Sequence, residues 1–284
     1  MVQNRIIITG VDGFIGRYLK YYLINSTKNV FVGDYDITHG CDILSKEKLD
    51  LYFEKFKPNG IFHLAGQTDV SKGEENPSRD VELNVIGTLN IIEAMKNHGV
   101  KDLVYTSTAA AINPISNYGI SKGTAEKYIK KYSDEGVING RIARFSSVYG
   151  HGRTRFGKPQ GAVNNFIHQA LTTGFINVWG DGEQKRDIIY VKDAVRALTT
   201  IMNIGMPGIE YNVGTGEQVS VNQIAKLVSS LTKAPIIHVP SPVAVDQRDA
   251  DFDTFQLKRL FALPEFGLLY GIAETLKYMK EDMK

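Results

Sequence analysis

Tyr118 and Lys122 stand four positions apart in the run Tyr118-Gly119-Ile120-Ser121-Lys122, inside a stretch with helical spacing. Residues i and i+4 share one helix face. An ammonium beside a phenol favours the phenolate. Such a phenol can take a proton from a substrate hydroxyl, or return it, while hydride moves to or from a nicotinamide. Upstream, Thr106-Ser107-Thr108 closes an apolar run. A hydroxyl at a strand end of this kind can orient the reacting oxygen. A tyrosine and a lysine at this spacing also occur on solvated helix faces. The hydroxyl-bearing strand end is what sharpens the reading.

A second constellation is Thr9-Gly10-Val11-Asp12-Gly13-Phe14-Ile15-Gly16, between the apolar run RIIIT and a helical stretch. Glycines permit the tight turn and let backbone N–H groups approach a pyrophosphate, to which the helix N-terminus adds partial positive charge. Asp34 lies at the end of the next apolar run. A carboxylate there bonds the ribose hydroxyls of NAD and repels the 2′-phosphate of NADP. Asp36 adds negative charge nearby. NAD is the expected cofactor, with NADP disfavoured. The plainer alternative is an ordinary strand–turn–helix connection followed by a surface aspartate.

These groups need a frame to hold them. Short apolar runs at residues 5–9, 29–33, 60–65, 102–107 and 139–145 read as buried strands. Helical stretches at 16–25, 46–56, 80–98 and 118–135 separate them. Near-continuous apolar strands alternating with helices indicate a parallel sheet covered on both faces. Right-handed crossovers make the fold a doubly wound α/β sheet. After Gly150 the texture turns to glycine, arginine and lysine, then to short elements and prolines. Residues 1–150 are expected to form the dinucleotide-binding domain and 151–284 mainly a smaller substrate-binding lobe. Residues 188–202 are expected to return to the first domain as strand plus helix.

The bulk numbers fit this frame. The chain has 284 residues, 43% of them hydrophobic, which is enough for a sizeable core. With 33 basic and 31 acidic residues the net charge is +2, so there is no footprint for nucleic-acid binding. The single cysteine, Cys41, precludes an intrachain disulfide and fits a reducing compartment. No secretory leader pattern and no membrane-spanning apolar run is read. No group of residues with metal-ligand spacing stands out. A cytoplasmic protein is expected, without membrane or nucleic-acid partners.

Taken together, these motifs resemble the extended short-chain dehydrogenase/reductase family, the Rossmann-fold epimerases, dehydratases and reductases of nucleotide sugars. Beyond the glycine loop, the resemblance is carried by His63-Leu64-Ala65-Gly66, Asn84-Val85-Ile86-Gly87-Thr88 and Arg144-Phe145-Ser146-Ser147-Val148-Tyr149-Gly150. The segments Gly180 to Asp187, Tyr190 to Asp193 and Tyr211 to Gly214 extend it over nearly the whole chain. The resemblance implies that Thr108, Tyr118 and Lys122 are catalytic. It also implies that Gly10, Gly13, Phe14, Ile15, Gly16, Asp34, Asp42, Ile43, Leu64, Ala65, Gly66 and Asn84, with Tyr118 and Lys122, hold the cofactor. Arg186 and Arg248 would meet the diphosphate of a nucleotide-diphosphate sugar, which suits guanidinium geometry. Ser147 would face the sugar. Family members often dimerise through their two long helices, so a homodimer is a possible state.

Three departures from the family pattern bear on the reaction. Ala109-Ala110-Ala111 follows Thr108 where dehydratases carry an acidic pair, which argues against water elimination. The lone cysteine sits near the adenine end, away from where C3 or C5 epimerisation would need an acid or base. Asp69 could reach the sugar, but reads better as a cap or loop residue. Only Ala109 to Asn117 separate Thr108 from Tyr118, a short segment like that of the CDP-sugar 4-ketoreductases. Ser147 also replaces the family's asparagine. The expected activity is oxidoreduction at C4 of a nucleotide sugar, as a 4-epimerase or a 4-ketoreductase. A reductase of another small carbonyl compound and a non-catalytic dinucleotide-sensing regulator are the alternatives.

Overall fold

A computed structural model describes residues 4–26, 30–155, 158–240 and 252–283. The first half of the chain runs β1 (Asn4–Thr9), α1 (Phe14–Ser26), β2 (Val30–Tyr35), α2 (Lys46–Phe56), β3 (Gly60–His63), α3 (Val70–Glu75), α4 (Pro77–Val81), α5 (Gly87–Asn97), β4 (Asp102–Thr108), α6 (Asn117–Asp134) and β5 (Asn139–Phe145). Local signals set the ends. Ser45 accepts the Lys48 N–H to start α2, and Lys57, in the left-handed region, closes it before Pro58. Ser116 accepts the Gly119 N–H to start α6, the helix that carries Tyr118 and Lys122.

The strands assemble in the order β11-β5-β4-β3-β1-β2, where β11 is Glu210–Val213. The pairings of β1 with β2 and β3, of β3 with β4 and of β4 with β5 are all parallel. The expected doubly wound sheet is therefore present. Its order reverses between β1 and β3, and ligands bind such sheets at the carboxyl ends flanking that point. Ile7, Ile61, Leu103, Tyr105 and Ile142 fill the sheet's core against Leu49, Phe53, Ile91, Met95 and Ile129 from the helices.

The long helix expected at 80–98 is interrupted. Pro77 starts α4 at its first turn, where a missing N–H costs nothing. Residues Glu82–Ile86 then form a π-helical turn before α5 begins. A turn of this kind is rare and frequent at functional sites. Asn84 sits in it, buried.

The chain divides into two compact units, Met1–Phe145 with Val195–Asn212 and Arg259–Phe261, and Ser146–Ala194 with Val213–Lys258 and Ala262–Lys284. The second unit contains β6 (Ser147–Tyr149), the two-residue strands β7 (Thr154–Arg155) and β8 (Lys158–Pro159), α7 (Gly161–Thr172), β9 (Ile176–Trp179) and β10 (Lys185–Tyr190). After α8 (Val191–Ile204) and β11 come β12 (Gln218–Ser220), α9 (Val221–Thr232), β13 (Ile236–Val239), α10 (Phe255–Lys258) and α11 (Leu268–Glu281). The segment 188–202, read from sequence as returning whole, is split. Its strand, β10, lies in a separate sheet of order β12-β10-β6, and the part grouped with the first unit begins at Val195. Within the second unit the Asp187 carboxylate accepts from Thr215 N, Thr215 Oγ1 and Gly216 N, fixing the turn after β11. Among the described residues no helix is long and apolar enough to cross a membrane.

Candidate active site

The glycine loop is built by close backbone approach. Gly10 has φ +70, and a Cβ there would lie 2.8 Å from Ala65 N, so the ends of β1 and β3 nearly touch. A Cβ on Gly16 would lie 2.3 Å from the Gly10 carbonyl oxygen. Gly13 N donates to that oxygen at 3.1 Å, and Phe14 and Ile15 open α1. Gly10→Ala is expected to strain the turn by about 1–3 kcal/mol. NAD affinity should fall with it, which calorimetric titration of the purified variant measures.

Thr9 ties the same strand ends together. Its hydroxyl oxygen accepts from Leu64 N and Ala65 N, both at 3.1 Å, and lies 2.7 Å from His63 Nδ1. His63 Nε2 lies 3.1 Å from Thr88 Oγ1, whose proton goes to the Asn84 carbonyl at 2.7 Å. Thr88 can therefore only accept from the ring, which assigns His63 as the neutral Nε2–H form that accepts the Thr9 proton. Burial, aided by the charge of Lys122, pushes the His63 pKa down to about 3. The unfolded chain then takes up a proton before the folded one as pH falls. This contribution to stability is complete above about pH 6.5 and is lost towards about pH 3, at roughly 1.4 kcal/mol per pH unit. Urea unfolding at a series of pH values across that window should show the slope, and His63→Gln should flatten it.

Asp34 is the last residue but one of β2, paired with Ile8 of β1. One carboxylate oxygen meets Lys20 Nζ at 2.5 Å. The other, Oδ1, is buried without a hydrogen-bond partner among the described residues. A buried oxygen in that state is costly unless something donates to it. An acceptor left open in this way on the strand after the glycine loop fits a group that brings a hydroxyl donor, as the ribose of a dinucleotide does. The Ser107 hydroxyl near the end of β4 is likewise buried and unpaired. Asp36 accepts from Thr38 N and Asp12 N, which joins the loop after β2 to the glycine loop. Asp42 Oδ1 accepts the Leu44 N–H at 2.9 Å. Ile43 is buried in the core, and a Cβ on Gly87 would lie 2.5 Å from its Cδ1.

At the ends of β3 and β4, Lys122 is buried, with Nζ 4.2 Å from the centre of the Tyr105 ring. A Cβ on Gly66 would lie 3.9 Å from that Nζ and 2.6 Å from Asn84 Oδ1, so only glycine leaves room there. Burial pushes the Lys122 pKa down to about 7, while Glu126 and Asp80 oppose the fall. Glu126 is itself held by Arg144 through both carboxylate oxygens, at 2.9 Å and 2.5 Å. Tyr118 is half-buried in the first turn of α6, and Thr108 accepts the Ala110 N–H at 3.3 Å across the short turn that follows β4. Glu74 of α3 accepts from Asn117 N and Asn117 Nδ2, both at 2.8 Å, and so fastens the start of α6.

Residues 6–214 match the model of the NAD dependent epimerase/dehydratase family. The chain belongs to that family. Among solved structures, a Thermotoga maritima UDP-glucose 4-epimerase with UDP-glucose shares 29% identity with the chain, covering 99% of this chain and 100% of the other, at TM-score 0.89. A Thermus thermophilus UDP-glucose 4-epimerase in complex with NAD shares 26%, covering 97% and 99%, at TM-score 0.85. The UDP-glucuronate 4-epimerase of Thermodesulfobacterium geofontis is 29% identical over 98% of this chain and 97% of its own.

The residues expected from sequence divide between the units. Gly10, Asp34, Ala65, Gly66, Asn84, Thr108, Tyr118 and Lys122 lie in the first unit, on strand ends and the helices that follow them. Ser147, opposite Ile188 in the β6–β10 pair, and Arg186, opposite Val219 in β10–β12, lie in the second. Arg248 lies outside the described residues. Asp69 is a cap: its carboxylate accepts from Ser71 N at 3.0 Å at the start of α3. Sequence reading passed over Asp80, Ser121 and Gln67. Asp80 and Asn84 are four apart in the sequence, a spacing that places them on one helix face and was the available signal.

Proposed function

We propose that this protein interconverts the C4 epimers of a nucleotide-diphosphate sugar, with UDP-sugars the first to test. The observation that carries the reading is the buried Lys122 ammonium, one helical turn from Tyr118 and against the Tyr105 ring at the strand ends of a family-specific dinucleotide fold. NAD, when bound, supplies the hydride acceptor and donor. The chain's own residues manage the proton and the position. Tyr118 takes the C4 hydroxyl proton and later returns it, while Lys122 stabilises the phenolate and holds the nicotinamide ribose. Thr108 orients the C4 oxygen. The glycine loop and helix N-terminus meet the pyrophosphate, and Asp34 Oδ1 accepts from the adenosine ribose. Asp42 and Ile43 serve the adenine. Arg186 and Arg248 serve the sugar's diphosphate, with Ser147 at the sugar, so the second unit is the substrate lobe.

A 4-ketoreductase is the second reading, favoured by the short Thr108–Tyr118 segment. Denaturing the purified protein and identifying the released dinucleotide separates the two. Near-stoichiometric NAD supports the self-contained epimerase. An empty protein that consumes reduced cofactor supports the reductase. Thermal shift with UDP, CDP, GDP and dTDP then ranks the nucleotide, since a ligand of the folded state raises the melting temperature. The reading extends to a cytoplasmic homodimer. Exposed apolar Ile86, Ile120 and Tyr128 support the dimer, and sedimentation equilibrium tests it.

A further inference from the structure

Asp80 is a buried carboxylate that the proposed chemistry does not use. It is 1% exposed, on α4, ahead of the π-helical turn. Every hydrogen bond it accepts comes from a neutral group. Gln67 Nε2 donates to Oδ1 at 2.8 Å and Asn84 Nδ2 at 3.3 Å, while the Ser121 hydroxyl donates to Oδ2. Asn84 Nδ2 also donates to Ser121 Oγ at 3.0 Å, and Asn84 Oδ1 accepts the Gln67 N–H at 2.9 Å. The cluster thus spans α4, the turn after β3, the π-helical turn and α6, and it includes Lys122's immediate neighbour in the chain.

Lys122 presents the complementary problem. Its ammonium is buried over the Tyr105 ring. The Tyr105 ring of β4 lies against it, Tyr118 is one helical turn before it on α6, and the charged groups coupled to it are Glu126 from α6 first, then Asp80 from α4, with His63 of β3 feeling its charge. His63 is neutral, and Tyr105 is held protonated by burial. Glu126 is the stronger of the two carboxylates acting on the lysine, but it is shared with Arg144, which holds both its oxygens. Asp80 is the remaining carboxylate, and no cation pairs with it among its bonds. A buried charge of one sign with no compensating partner is strongly disfavoured.

We propose that Asp80 is the second counter-charge of Lys122, the one no other cation claims: fixed behind the coenzyme site by the Ser121–Asn84 cluster, its charge acts across space to keep the lysine an ammonium and so keeps Tyr118 ready to act as a base. Asp80 is a positioning residue in this scheme and touches neither substrate nor coenzyme. The inference rests on the Tyr118–Lys122 reading for its consequence in catalysis, but the electrostatic link stands apart from it.

Asp80→Asn removes the charge and little else. The new amide can donate to Ser121 Oγ, and the serine proton can turn to the Tyr118 carbonyl, 3.1 Å away. The test is a pH titration of lysine ¹³Cε signals in the labelled full-length protein, with Lys122→Met used to assign the resonance. The Lys122 midpoint is expected to fall by about one pH unit or more in Asp80→Asn, the size of effect a nearby opposite charge exerts. Asp80→Ser should move it the same way, and Ser121→Ala, which keeps the charge, should not. In the wild type the Asp80 carboxyl signal should register the Lys122 midpoint, a readout that needs no variant. A Lys122 midpoint unchanged in the charge-removing variants, or an Asp80 signal blind to it, overturns the proposal. With a turned-over sugar in hand, Asp80→Asn should shift the pH profile of kcat downward. A uniform loss at every pH would instead mark a merely structural residue. The titrations need neither substrate nor coenzyme, so failure of the epimerase reading leaves them interpretable.

Discussion

Tyr118→Phe is expected to lower turnover by roughly 100- to 10,000-fold, the usual worth of a positioned acid or base. The fold should survive, because the tyrosine is only half-buried in the first turn of α6 and that turn is fixed by other groups. Ser116 caps it, and Glu74 holds Asn117 through two hydrogen bonds. NAD affinity should change little, since the glycine loop, Asp34 and Lys122 remain. Single-turnover kinetics with NAD binding measured in parallel checks all three statements. A protein acting as a dinucleotide-sensing regulator would show no activity to lose and would keep its binding behaviour in the variant.

Arg144→Met is expected to be the most destabilising of the charge changes. Glu126 is 4% exposed, and Arg144 is its bidentate partner. Removing one member of a buried pair leaves an uncompensated charge and costs about 3–5 kcal/mol. The exposed Lys46–Glu93 pair, by contrast, should be worth roughly 1 kcal/mol or less. The double change Arg144→Met with Glu126→Leu should recover most of the loss, because matched apolar groups replace a buried pair at little cost. Urea denaturation midpoints compare the wild type, Arg144→Met and the double variant. A single variant as stable as the wild type would show that water reaches Glu126 in solution. The arginine was visible in the sequence only as part of a motif, and its partner Glu126 carried no signal there at all.

That contrast describes much of what a linear reading can reach. The strands at 5–9 and 139–145 and the helix at 46–56 are legible because each is bounded by a local stop, such as Pro58 or a cap, and carries an unbroken apolar period. The glycine loop and Asp34 are legible because strand, turn, helix and acid follow one another along the chain. The interruption of the helix around Asn84 is not, since its apolar spacing stays close to helical and the extra residue of a π-helical turn leaves no mark in residue types. The Asp80 cluster joins residues 67, 80, 84 and 121, which only the crossover topology brings together. The placement of β10 in a second sheet is hidden for a related reason: Lys185–Tyr190 reads as a buried strand whichever sheet receives it.

The central claim is that hydride leaves C4 of the sugar and returns to the same carbon within one active site. It is tested most directly with a UDP-hexose deuterated at C4, incubated with the purified protein and no added cofactor. The account predicts conversion to an equilibrium mixture of the two C4 epimers, with deuterium retained at C4 in the product. Conversion with the deuterium lost to solvent would contradict it. So would the absence of any epimer across UDP-, CDP-, GDP- and dTDP-linked hexoses.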